Sequence, residues 1–135
     1  MSDTAAKTHY LLLIRGTHWE DELSPEQIQE FMGQFTAWHE RLTNEGKIVT
    51  AHPLASEGKL VSGKNGSSVA DGPYAESKEA VGGFFLLQVD SCEEATAIAQ
   101  ANPVLNYGGS IEVRPVIAQC STMQRASEML ASSTK

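Results

Sequence analysis

Cysteine is nearly absent: Cys92 and Cys120 stand too far apart for a CxxC redox or metal pair, and a lone disulfide is out of place in a reducing compartment. Both read as ordinary thiols. Basic residues are also scarce, ten Lys and Arg against seventeen Asp and Glu for a net charge of −7, and they are scattered along the chain. Phosphate backbones need clustered cations, so no nucleic-acid partner is expected. No apolar run approaches the roughly 20 residues that span a bilayer, and the opening residues lack the apolar stretch of a signal peptide. The expectation is a cytoplasmic protein with no membrane partner. Nucleophile, Walker and dinucleotide motifs are missing, and Gly63-Lys64-Asn65-Gly66 lacks the GxxxxGK frame and reads as a turn. His9, His18, His39 and His52 never fall at the i, i+4 spacing of a helical zinc pair. Neither a metal nor a cofactor is expected.

What the chain does have is enough apolar side chain, 41% of 135 residues, to bury one core. Segment 9–118 is expected to be that single domain, with 1–8 a flexible leader and 119–135 a tail able to form a short helix over 121–130. His9 to Arg15 is an apolar run of strand length ended by Gly16. Ser24-Pro25-Glu26-Gln27 then combines an N-cap, a proline at the first helical position and a capping-box glutamine. Ile28, Phe31, Met32, Phe35, Trp38 and Leu42 continue at helical spacing, which places Phe35 and Trp38 in a helix–sheet core. His39 falls on the same stripe and reads as a core histidine bonded to a backbone carbonyl. Lys47–Leu54 reads as a second strand and the stretch from Ala55 to Ala70 as a hairpin or long loop. Phe84–Val89 is a strand entered through Gly82-Gly83. A capping box at Ser91 opens a second helix that Asn102-Pro103 ends, and Ser110–Ala118 is the last strand.

Strand-helix-strand repeated twice is the split βαβ plan of a ferredoxin-like α+β fold: an antiparallel sheet with both helices on one face. The other face is then uncovered and partly apolar, so a homodimer follows as an expectation. Strand alternation places Glu112 and Arg114 on one face of the last strand, with His52 and also Arg15 and Gln88 on the matching sides of theirs. Such a cluster reads either as a small-molecule site or as a solvated face holding one Arg–Glu pair.

The run from Val69 through Asp71-Gly72-Pro73-Tyr74-Ala75-Glu76-Ser77-Lys78-Glu79 to Phe85 resembles the signature segment of the YCII-related family, whose members of this form are called DGPF proteins. Tyr74 stands where the motif has phenylalanine. Tyr107 to Val116 is similar to that family's closing strand, and Leu11–Ile14 with Ser24-Pro25-Glu26 to its opening. The resemblance spans Tyr10 to Ile117. It implies a dimeric α/β barrel in which two ferredoxin-like sheets pair face to face. It also implies, for some members, a His–Asp site with hydrolase-like or dehalogenating chemistry, and for DGPF proteins an association with specialised sigma factors. Asp71 matches the motif aspartate, whereas Phe35 stands where the histidine-bearing members place their histidine.

The leading functional expectation is a small organic ligand in a barrel pocket, with hydrolase, isomerase or lyase chemistry. Asp71 and His52 would handle protons, Arg114 would hold an anionic or carbonyl oxygen, Tyr74 would pack on the ligand, and Glu112 and Arg15 would line the site. Asp71, His52 and Arg114 are expected to approach one another around one pocket. The alternatives are that Asp71-Gly72-Pro73 only shapes a turn, and that the protein is a non-enzymatic dimeric sensor or interaction protein.

Overall fold

The computed structural model describes residues 8–16, 19–55, 57–71, 81–117 and 120–133. Strand β1 (Thr8–Arg15) is followed by a 3-10 turn (Trp19–Glu22) and helix α1 (Pro25–Asn44). β2 (Ile48–Pro53), a hairpin of β3 (Lys59–Ser62) and β4 (Ser68–Asp71), β5 (Val81–Val89), α2 (Cys92–Gln100), β6 (Ser110–Pro115) and α3 (Ser121–Ser133) complete the order. The main sheet is antiparallel with the strand order β2-β5-β1-β6, and β3 and β4 pair separately. This is the ferredoxin-like α+β arrangement. Among the described residues no helix is long and apolar enough to cross a membrane.

α1 starts where its capping box dictates. The Ser24 hydroxyl accepts from the Gln27 N–H at 3.2 Å, and the Gln27 side chain accepts from the Ser24 N–H at 2.9 Å. Its apolar stripe buries Trp38 and Leu42 against Leu12, Phe85 and Leu87, with Phe35 partly buried at the edge. Trp38 is fixed twice over: its ring stands edge-on to Phe85 at 5.0 Å, and its indole N–H donates to the Ile98 carbonyl at 2.9 Å, tying α1 to α2. Met32 departs from the expected stripe and is 60% exposed, because it lies on the flank of the helix rather than over the sheet. α2 packs Ala95, Ile98 and Ala99 into the same core.

Two irregularities break the simple alternation of side chains. Ile48 pairs with Leu87 and Thr50 with Leu86, so Val49 is an extra residue in β2; Ile48, not Val49, packs on the core. On β5, Ile14 pairs with Gly83 and Arg15 with Val81, which leaves Gly82 as the extra residue. Gly82 and Gly83 therefore belong to the strand instead of preceding it.

Elsewhere the strands alternate cleanly. Tyr10, Leu12, Phe85, Leu87 and Val89 lie under the helices, and Leu11, Leu13, Phe84 and Leu86 occupy the other face. The hairpin and α3 stand apart from this core: every residue of β3 and β4, and residues 121–132 of α3, are exposed, including Leu60, Val61, Val69, Met123, Met129 and Leu130.

Candidate functional site

On the open face, residues line up in rows across the sheet: His52, Phe84, Leu13 and Glu112 form one, and Thr50, Leu86, Leu11 and Arg114 the next. The rows have an apolar middle and polar ends. At the β6 end, Glu112 bridges two guanidinium groups. Its Oε1 accepts from Arg15 Nη2 at 2.6 Å and Nε at 2.9 Å, while its Oε2 accepts from Arg114 Nη1 at 3.2 Å. Hydrogen bonds from Arg15 first, then Arg114, hold the Glu112 carboxyl below the usual carboxylate range despite partial desolvation. Three of the expected site residues are thus gathered into one cluster.

The others are elsewhere. His52 sits on the opposite edge strand with its ring against Phe84 at 5.8 Å, three strand spacings (about 14 Å) from the Glu112 position. Asp71 ends β4, where its carboxylate pairs with the Lys59 ammonium on an exposed part of the hairpin. One chain does not bring Asp71, His52 and Arg114 together, because β5 and β1 separate the edges that carry the latter two. Tyr74, like the rest of 72–80, lies outside the described residues, as does His18.

The helix-covered face holds a feature the residue pattern did not announce. Between α1 and the ends of β2, β5 and β1 lies a cavity of about 340 Å³, lined by Ile14, Phe35, His39, Ala51, His52, Pro53, Gly82, Gly83 and Phe85. Its origin is steric. The inward row Ala51-Phe85-Leu12-Val113 fills the space under α1, whereas in the next row Pro53 and Gly83 bring little or no side chain, and the neighbouring Ala51 is small. A Cβ on Gly83 would meet the His52 carbonyl at 3.2 Å and Pro53 Cα at 3.4 Å, so glycine lets β2 lie this close without a shift of the backbone.

α1 roofs the cavity with Phe35 and His39. His39 is no core histidine on a carbonyl: it is half-buried on the flank of the stripe, edge-on to Phe85 at 6.0 Å, with Nδ1 3.5 Å from the Thr43 hydroxyl. Its flank position was the available signal, since the same offset exposes Met32. Among the described residues, no Lys, Arg, Asp or Glu lines this space, and no three His, Cys, Asp or Glu side chains cluster in a way that could hold a metal ion.

The family model for the YCII-related domain matches residues 9–129, from β1 into α3. The chain belongs to the YCII-related family. An uncharacterised protein of Rhizobium meliloti (strain 1021) is 32% identical over 100 residues, which cover 69% of this chain and 78% of the relative. The family resemblance carried by the Asp71–Phe85 segment and the closing strand is thereby shown, and the match takes in every residue that lines the cavity.

Proposed function

We propose that this YCII-related protein binds a small organic molecule in the cavity beneath α1, and that two copies pair through their open sheet faces. The observation that carries the first part is the cavity itself: its volume falls within the range of about 300–1,000 Å³ of small-molecule sites, and its walls are apolar with the His39 imidazole among them. Mostly apolar walls with a few placed polar groups are the pattern of a ligand site, and a strand bulge at its rim, here Gly82, is a common companion. In this reading His52 borders the cavity with its backbone, while its imidazole stays on the open face against Phe84. Arg15, Glu112 and Arg114 lie on the far face and serve the pairing of copies, where burial would strengthen their charge-assisted hydrogen bonds.

The pairing rests on Leu11, Leu13, Phe84 and Leu86, a contiguous, half-buried apolar patch on the face away from the helices. Light scattering at micromolar concentration should give twice the chain mass, and Leu13→Glu should halve it. For the cavity, a thermal-shift screen of small organic compounds is compared between the wild type and Ala51→Leu, which fills the space from β2. Compounds that stabilise only the wild type support the site. Equal stabilisation of both proteins, or of neither, refutes it.

A second reading, docking of a protein partner, draws on α3, where Met123, Met129 and Leu130 are each about two-thirds exposed. A helix of this length needs packing to persist in water. Removing 121–135 would then abolish partner capture and leave compound binding intact.

A further inference from the structure

We infer that the occupant of the cavity beneath α1 is a neutral phenol-class compound, one aromatic ring whose hydroxyl is received by His39; this rests on the cavity being the binding site. Size comes first. A dry cavity of about 150 Å³ holds benzene, so about 340 Å³ takes one ring with a few substituents and not a nucleotide or a peptide. Shape comes next. Phe35 and Phe85 wall the space with ring centroids 6.0 Å apart and planes inclined at 49°, and Gly82 and Gly83 expose flat strand backbone where side chains would otherwise project. An aromatic ring can meet both phenyl walls in tilted or edge-to-face contact.

Charge then selects the functional group. Among the described residues no Lys or Arg lines the cavity, and Arg15 is engaged by Glu112 on the opposite face, so the described walls favour a neutral group over a carboxylate or phosphate. A wholly apolar ligand would leave the imidazole of His39 facing hydrocarbon. With Nδ1 beside the Thr43 hydroxyl, Nε2 is the nitrogen left for the ligand. A neutral imidazole presents either a donor or an acceptor there, and a hydroxyl, which both donates and accepts, satisfies either tautomer. A carbonyl suits only one.

The test is isothermal titration of the full chain with 4-ethylphenol, 4-ethylbenzoate and ethylbenzene. 4-Ethylphenol should bind about tenfold more tightly than either of the others, the value of one hydrogen bond in a desolvated site. His39→Phe should erase the preference for 4-ethylphenol over ethylbenzene while ethylbenzene still binds, and His39→Gln, which keeps a hydrogen-bonding group, should restore part of it. Tighter binding of 4-ethylbenzoate, or a preference unchanged in His39→Phe, overturns the inference. Should none of the three bind while some other compound is lost on Ala51→Leu, the ligand class is wrong and the cavity remains the site. 4-Ethylphenol binding that survives Ala51→Leu refutes both.

Discussion

Replacing Trp38 with alanine removes the side chain that joins α1 to both the sheet and α2. Trp38 is 3% exposed and touches Phe35 and Phe85 at centroid distances of 5.5 and 5.0 Å. Truncating such a residue costs about 3–5 kcal/mol, lost transfer energy and residual cavity together. The indole hydrogen bond to Ile98 also disappears, but the Ile98 carbonyl still accepts from the Ala101 N–H at 3.2 Å. No buried acceptor is orphaned, which places the expected loss near the middle, about 4 kcal/mol.

With an unfolding entropy of about 2.1 cal/mol/K per residue, 135 residues give about 0.28 kcal/mol/K, so Tm should fall by about 14 °C. Trp38→Phe keeps the apolar ring and loses chiefly the hydrogen bond and some volume, about 1.5 kcal/mol or 5 °C. Circular dichroism melts at one fixed protein concentration measure both. A drop below about 5 °C for the alanine variant, or equal drops for the two variants, would refute the argument that ring packing dominates.

Four further outcomes follow from the same geometry. Arg15 and Arg114 hold the Glu112 carboxyl below its ordinary range, so the pair stabilises the fold above the unfolded-state pKa and that contribution is lost as pH falls through the folded value; Glu112→Gln should flatten the acid limb of a urea-melt pH series, and an unchanged limb would contradict the pairing. Hydrogen bonds from Lys47 to Glu94 and Glu45 raise the lysine's pKa, so their contribution is present at neutral pH and lost as pH rises through the raised value; Lys47→Met should remove that alkaline dependence, which salt should also weaken. A Cβ on Gly109 would sit 2.7 Å from Val104 Cγ2 and 3.2 Å from its carbonyl oxygen, so Gly109→Ala should cost about 1–3 kcal/mol in a denaturant titration. The Cys120 thiol is lowered by backbone N–H groups of Met123 and Thr122 at the start of α3, so at pH 8 it should alkylate faster in the folded chain than in urea, and equal rates would deny that geometry.

The sequence disclosed the elements far better than the site. Ser24-Pro25-Glu26-Gln27 announces α1 because capping is local chemistry, and the alternating strands assign inward and outward residues without knowledge of their neighbours. Register is different. The extra residues Val49 and Gly82 exist only relative to β5 and β1, so no reading of one strand could show that Ile48 turns inward or that Gly83 lies under α1. The cavity is a non-local void of this kind, made by small residues of β2 and β5 that meet only once the sheet is paired. The polar residues of the open face were visible by parity, yet parity says nothing about distance, and His52 and Arg114 prove to stand on opposite edges.

Binding beneath α1, on the helix-covered face of the sheet, is the central claim, and chemical-shift mapping of backbone amides with a compound from the thermal-shift screen tests it most directly. The predicted result is perturbation concentrated at Ile14, Phe35, His39, Ala51, Gly82, Gly83 and Phe85, absent in Ala51→Leu. Perturbation concentrated instead at Leu11, Leu13, Phe84, Leu86 and Arg114 would put the ligand on the open face and contradict the account.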